Sequence, residues 1–334
     1  MNNKKRFDEI DILKGIGIIL MILDHVYFGK YVHLYIQSFH MPLFFIVSGY
    51  LWNENYSIKE RAKKRARSLM IPYICFGVLY LILYFAVYGV KKDNIIAILF
   101  LPTDMKNMPF APALWFFPCM FLTDIVYTTI MKKTKSFKIG GVIIVLIATI
   151  GGIYSSISTV MLPFAIEPTM TALLFWYIGN CLKRYSDNNR INGIMNMQPK
   201  VLSAVFLISV VFAFLNKCVD MRSARYYIVP LYFFNGIFGT IVYWNIAKYI
   251  KKVGNINKYT KKIVNIIKYF GKNSMAFICM NQILIFLSNK IVEKSIINNL
   301  IVLKKILALV LVFMAATVFD KIISSSKMKF LLGK

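Results

Sequence analysis

Apolar residues fall into ten runs along the chain, at about 12–30, 39–52, 69–90, 113–131, 139–156, 165–182, 200–217, 226–248, 273–289 and 303–320. Each run is bounded by charged or Gly/Pro/Asn-rich segments. A helix needs about 20 predominantly apolar residues to cross a bilayer core, so the pattern predicts about ten transmembrane helices. The second run is short and has Pro42 near its start. It predicts a tilted, broken or partly re-entrant helix, which is tolerable only where protein or a water-filled cavity satisfies the freed backbone groups. There is no repeat of 20–50 residues and no linker. The expected fold is an all-α integral membrane bundle forming one domain over residues 1–334.

Composition agrees with this pattern. Of 334 residues, 58% are hydrophobic, and the mean hydropathy is +0.61. A soluble core cannot hide that much apolar surface. A net charge of +27 in a soluble chain would suggest nucleic acid. Here the basic residues cluster between apolar runs, where they set topology, and no nucleic-acid partner is expected.

Segments 1–11, 53–67, 132–138, 183–200, 248–272 and 321–334 hold 29 Lys and Arg, and the alternating segments 30–38, 91–112, 157–164, 217–225 and 290–305 hold 11. Short loops rich in positive charge stay on the cytoplasmic side, so ten spans with both termini cytoplasmic is the self-consistent threading. The Lys-rich 248–272 segment serves this topology; the alternatives are binding of anionic lipid head groups or an amphipathic surface helix. Five cysteines at scattered positions have no CxxC or CxxH spacing, which indicates neither a disulfide framework nor a metal site. Lys14, Asp24 and His25 interrupt the first apolar stretch, and no small-residue cleavage site follows. This predicts a retained first helix rather than a signal peptide.

An ionisable side chain inside a span costs about 2.5–3.5 kcal/mol on insertion scales and usually marks a polar interior. Lys14 and His25 are eleven positions apart. Eleven steps of about 100° return to within roughly 20° of one face, about 16 Å further along the axis. A cavity along that face would present a cation near the cytoplasm and an imidazole deeper in. Histidine takes and returns a proton near neutral pH, which makes His25 a candidate general base, although a buried histidine can equally serve as a cross-helix hydrogen bond. Lys14 can alternatively snorkel to the interface. Asp24, about 100° around the helix from His25, suits orienting a neighbour or neutralising a cation.

The second run, SFHMPLFFIVSGYLW (38–52), puts His40 at its outer edge and Ser48, Gly49 and Tyr50 at its inner edge. Gly49 permits close approach by a ligand or by another helix, and Ser48 and Tyr50 can hydrogen-bond an acyl carbonyl. Next comes ERAKKRARSLMIPY (60–73), whose Arg65 and Arg67 are candidates for charge-assisted bonds to phosphate.

The run EIDILKGIGIILMILDH, then FHMPLFFIVSGYLW and the basic-to-Pro72-Tyr73 transition, resembles the acyltransferase-3 family of membrane O-acyltransferases, in particular its fucose-acetylase-like branch. ALWFFPCMF (113–121), ALLFWYIGNCLKR (172–184) and FGKNSMAFICMNQ (270–282) continue the resemblance in order over residues 8–320. The resemblance implies a bundle of about ten helices that moves an acyl group from cytoplasmic acyl-CoA to a hydroxyl, commonly on an extracytoplasmic or lipid-linked glycan. It equates His25 with the family's essential first-helix histidine and Lys14 with its basic partner. Ser48, Gly49 and Tyr50 match the SG-aromatic motif, Arg65 one member of an arginine pair, and Trp115 the LWF tryptophan. Two positions depart from the pattern: Ser68 replaces the second basic residue, and Asn281 stands where a histidine is usual. No segment is left for the hydrolase-like domain that some relatives append.

These readings predict a multi-pass enzyme of a bacterial plasma membrane that O-acylates, most simply O-acetylates, a cell-surface or lipid-linked glycan. Acetyl-CoA or another acyl-CoA serves as donor substrate, with no permanently bound cofactor and no metal. His25 and Lys14 are the expected catalytic residues. Arg65, Arg67, Ser48, Gly49 and Tyr50 are expected to bind the donor, and Asp24, His40, Trp115 and Asn281 to line the acceptor cavity. Membrane lipids are the remaining expected partner. The rival reading is a non-enzymatic exporter of polysaccharide or lipid-linked sugar, which would spread polar residues along several helices instead of concentrating them on the first. A drug- or ion-coupled transporter would need intramembrane carboxylates, which are scarce: Asp24 and Asp124 are the main candidates, and Asp320 falls at the inner end of the last helix.

Overall fold

The computed structural model describes residues 8–89, 91–104, 106–107, 112–293 and 300–334. The basic start of the chain, on which the sidedness of the N-terminus partly rests, lies outside the described residues. So do parts of the 91–112 and 290–305 segments.

The first apolar run forms α1 (Asp8–Val26), whose acidic first turn faces the positive end of the helix dipole. The chain leaves it through Tyr27 and Gly29, both at positive φ, into the short α2 (Lys30–Gln37) and then α3 (His40–Tyr50). With 11 residues, α3 is only about 16 Å long, roughly half a bilayer core. His40, Gly49 and every residue from Pro42 to Val47 are buried, so the interior of the protein carries the short helix expected there.

The fourth helix, α4 (Ile58–Arg65), opens on a capping box in which Ser57 and Glu60 satisfy each other's backbone N–H. It runs through a π-helical turn at Ala66–Met70 into α5 (Ile71–Tyr88). Pro72 cannot donate to the carbonyl four residues back and its ring crowds it, and the widened turn absorbs both defects. The short α6 (Lys92–Leu99) follows. A 3₁₀ turn at Pro112–Trp115 then leads into α7 (Phe116–Thr134), α8 (Phe137–Ile157) and α9 (Ile166–Arg184). Next, α10 (Asn189–Met195) and α11 (Pro199–Leu215) meet at 76°. The chain ends with α12 (Val229–Val253), α13 (Lys258–Lys272), α14 (Ser274–Glu293) and α15 (Ile301–Ser325). Among the described residues there is no strand, only an isolated bridge between Asp220 and Arg225.

Each of the ten apolar runs lies in a helix, but they differ in how well they suit lipid. Among the described residues, five helical stretches are long and apolar enough to cross a membrane by themselves: Ile58–Tyr88, Pro112–Thr134, Phe137–Ile157, Ser274–Glu293 and Ile301–Ser325. The bent pair α10–α11 makes a sixth if counted as one span. The others carry polar residues and lie inside the bundle. Asp11 and Asp24 of α1, Glu167 and Asn180 of α9, and Asn235 and Asn245 of α12 are all buried.

Two close helix crossings position the interior. A Cβ on Gly49 would collide with the backbone carbonyl of Trp176, and one on Gly179 with that of Ile46, so glycines from both helices let α3 and α9 touch along their backbones. Gly15 meets the Ile267 carbonyl and Gly271 meets that of Asp11 in the same way, which clamps α13 against α1. The ion pair Lys268–Asp8 (2.8 Å) links those two helices, and Lys251–Glu9 (3.2 Å) ties the end of α12 to α1.

Candidate active site

A cavity of about 330 Å³ opens where α1, α2, α3, the start of α7, α14 and the 217–225 loop converge. The loops around it, 30–38 and 217–225, belong to the segments poor in basic residues. All three histidines of the chain, His25, His33 and His40, line it, together with Gln37, Trp115, Asp220, Arg222 and Gln282 among others.

The three imidazoles are held differently. Asp24, 3% exposed, accepts the Nδ1–H of His33 at 2.8 Å and the Nε2–H of Gln37 at 2.5 Å. A carboxylate only accepts, so the His33 proton is on Nδ1 and Nε2 is left for the cavity. The hydrogen bond to Asp24 raises the His33 pKa above the ordinary 6.5, against the opposing effect of burial. His40 donates its Nδ1–H to the Ile36 carbonyl at 2.9 Å, which likewise leaves Nε2 as acceptor. The His25 ring makes no hydrogen bond among the described residues and faces the cavity.

The 217–225 loop forms one wall. Asp220 and Arg225 exchange backbone hydrogen bonds of 2.9 Å each way. The Asp220 carboxylate receives the Ser223 hydroxyl (2.7 Å) and Arg222 Nη2 (3.0 Å). Burial works to raise the Asp220 pKa, but Arg222 and these hydrogen bonds hold the carboxyl below its usual range. The wall therefore presents a fixed carboxylate beside a guanidinium.

Of the residues singled out from sequence, the cavity gathers His25, His40 and Trp115, with Asp24 directly behind His33. Asn281 is buried just behind the wall. Its Nδ2 donates to the Ile278 carbonyl (3.1 Å) and lies 3.7 Å from the Met21 sulfur. Lys14 does not line the cavity. It lies about 16 Å along α1 from His25, beside the α1–α13 crossing.

The residues expected to bind the donor sit towards the other end of α3 and beyond. Gly49 is taken up in the contact with α9. Ser48 is half-buried, and Tyr50 stands edge-on to Trp244 at 4.9 Å. Arg65 and Arg61 both donate through Nε to Asp124, which is 0% exposed, one to each carboxylate oxygen. Arg61 also bonds the Asn53 carbonyl (3.2 Å), and its side chain is 7% exposed. The Arg65 side chain is 27% exposed, and its terminal nitrogens make no hydrogen bond among the described residues. Arg67 is exposed, and Ser68 turns its hydroxyl to the Arg65 carbonyl at 3.4 Å.

Sequence reasoning passed over His33 and Gln37, which stand in what reads as a short outer loop. The available signal was the scarcity of histidine: His33 is one of only three, and Asp24 is a buried carboxylate that needs a partner.

The arrangement offers an unengaged imidazole, a second imidazole backed by a carboxylate, amide and indole donors, and aromatic walls in one half-enclosed space. Such a set is suited to proton transfer at a hydroxyl, with nearby donors for a developing oxyanion. No curated protein and no solved structure matches the chain. Residues 7–319, nearly its whole length, match the acyltransferase domain of the acyltransferase-3 family, and with its helical, membrane-suited architecture the chain belongs to that family of membrane acyltransferases.

Proposed function

We propose that the protein transfers an acyl group, acetyl in the simplest case, from cytoplasmic acyl-CoA to a hydroxyl of a cell-surface or lipid-linked glycan. The observation that carries this reading is the convergence of His25, His33 and His40 on one half-enclosed cavity, with His25 left unengaged.

In this reading ten spans, four of them interior helices, keep both termini cytoplasmic in a bacterial plasma membrane. The donor enters at the inner mouth. The terminal nitrogens of Arg65 and the exposed Arg67 receive its phosphates, with Lys14 adding positive charge. The pantetheine arm follows α3 from Ser48 and Tyr50 towards His40, while Gly49 holds that path against α9. The acceptor sugar stacks on Trp115 and hydrogen-bonds Asp220, Arg222 and Gln282 from the outer side.

His25 removes the hydroxyl proton as the oxygen attacks the thioester carbonyl, forming the new C–O bond. In this reading the resulting oxyanion is met by N–H donors of the cavity wall. Collapse of the tetrahedral intermediate breaks the C–S bond, and the imidazolium returns its proton to the departing thiolate. The products are the ester and free CoA thiol. The Asp24–His33 pair stands by as a second proton acceptor, and Asn281 supports Met21 in the wall.

The test is acceptor-dependent release of CoA by protein in liposomes, supplied with labelled acetyl-CoA and lipid-linked oligosaccharide. Label moving to the sugar in wild type and not in His25→Gln supports the reading. Sugar crossing the bilayer without label transfer would instead establish the exporter.

A further inference from the structure

A second recess, which shares no lining residue with the histidine cavity, lies between α13 and α15. It is a groove of about 940 Å³, open along one side. Its two walls come from segments about 50 residues apart, and both are divided in the same way. On α13, Lys258, Lys261 and Lys262 occupy the first turns, and Ile266 and Phe270 the last. On α15, Phe313, Met314 and Val318 precede Lys321. Phe270 stacks on Phe313 at 4.8 Å and forms part of the apolar floor. Met314 and Val318 are 62% and 56% exposed on a helix apolar enough to face lipid.

A helix whose lysines serve only topology needs them on the correct side of the membrane and nothing more. Here lysines from two elements surround an apolar trough, and those lysines fall in the 248–272 and 321–334 segments that the charge distribution places at the cytoplasmic face. Among the described residues that line the groove there is no carboxylate, and Asp320, next to Lys321, is occupied. Tyr269 donates to it at 2.6 Å, and Lys334 lies 3.2 Å away. The lysines are thus not cancelled by an acid within the groove.

We propose that this groove binds an anionic phospholipid of the cytoplasmic leaflet, its phosphate among Lys258, Lys261, Lys262 and Lys321 and its acyl chains along Val318, Met314 and Phe313. Basic side chains at the membrane surface attract acidic head groups, and the apolar floor supplies what a free phosphate would not use. A phospholipid fits better than acyl-CoA because the open side faces lipid along α15, where two-chain amphiphiles are always present. A bound lipid would bridge α15 to α13 and, through Gly271 and Lys268, to α1.

The test uses purified full-length protein in mild detergent with equal amounts of phosphatidylglycerol and phosphatidylcholine, read by native mass spectrometry. Wild type is expected to retain phosphatidylglycerol selectively. Lys258→Gln/Lys261→Gln/Lys262→Gln should lower its retention roughly tenfold or more. Lys132→Gln/Lys133→Gln/Lys138→Gln, which removes the same charge elsewhere, should not. Thr317→Trp, which fills the trough and leaves every lysine in place, should lower retention as well. Photoactivatable phosphatidylglycerol on unmodified protein should cross-link to peptides of α13 and α15, a readout independent of how any variant folds. Equal losses in the two triple variants, cross-links elsewhere, no preference over phosphatidylcholine, or displacement of the lipid by micromolar acyl-CoA would each overturn the proposal.

Discussion

Asp24 and His33 are nine residues apart on different helices, yet the carboxylate of one receives the Nδ1–H of the other at 2.8 Å. The turn through Tyr27 and Gly29 folds α2 back over the end of α1 and makes the contact possible. Its effect is to fix one imidazole of the cavity by its tautomer and orientation, and Gln37 on the same carboxylate keeps α2 in register.

This pair gives a pH signature. The Asp24 bond raises the His33 pKa above 6.5, so the protonated pair stabilises the fold fully below pH 6.5, and that contribution is lost as pH rises through the elevated folded value. With the His33 side chain 30% exposed, the effect is modest. Thermal unfolding in detergent should show wild type losing stability relative to His33→Gln as pH increases above 6.5. Asp24→Asn should bring the His33 titration, followed by NMR, back towards or below the ordinary value. A His33 titration unchanged by Asp24→Asn would separate the two residues.

Asp124 makes the second prediction. It neutralises Arg61 and Arg65 in the interior and receives the Thr128 hydroxyl at 3.3 Å. Asp124→Ala leaves two guanidinium groups without their acceptor, and removing one partner of a buried ion pair typically costs about 3–5 kcal/mol. Differential scanning fluorimetry should show a large fall in melting temperature. Removing Arg65 alone leaves Asp124 paired with Arg61, so Arg65→Ala should remain folded. Because Arg65 keeps its terminal nitrogens and more exposure, its loss should weaken acyl-CoA binding, measured by calorimetry, more than Arg61→Ala does. Equal and small effects would confine both arginines to anchoring α4 on α7.

Gly49 and Gly179 give a third. A methyl group at either position collides with the backbone of the facing helix, which cannot move aside as a side chain would. Gly49→Ala should therefore lower the yield of monodisperse protein and its melting temperature. Gly193→Ala, where nothing lies within 4 Å, should do neither. Normal folding of Gly49→Ala would mean that α3 and α9 are further apart than described.

The helices were legible in the sequence because apolar runs of membrane length admit few alternatives, and Pro42 with the brevity of its run already pointed to an interior, incomplete span. What could not be read was which helices are shielded from lipid. The buried Asp24, Asn235 and Asn245 are affordable only because neighbours surround them, and sequence gives no neighbours. The same limit hid half of the site. KYVHLYIQ is too short to register as a span, so His33 appeared as a loop residue, and nothing local reveals that its partner is Asp24. Likewise Arg61 and Arg65 read as two members of a basic cluster, while the carboxylate that distinguishes their remaining donors is Asp124, about 60 residues away.

Sidedness is tested through Cys218, the only exposed residue among the five cysteines, which lines the cavity next to Asp220. Burial raises its thiol pKa above the ordinary value, so labelling by a membrane-impermeant maleimide should be slow at pH 7 and faster at higher pH. If the cavity opens outward, intact cells should label at Cys218, and Cys218→Ser should abolish the signal. In that Cys218→Ser background, Lys262→Cys on α13 should react only after permeabilisation. Donor and acceptor then approach from opposite faces, with the lysine groove on the donor side and the histidines on the other. If instead Cys218 and Lys262→Cys label from the same face, then both the threading inferred from basic residues and a transfer that moves an acyl group outward along α3 are wrong, and the cavity would have to receive its donor and acceptor from one compartment.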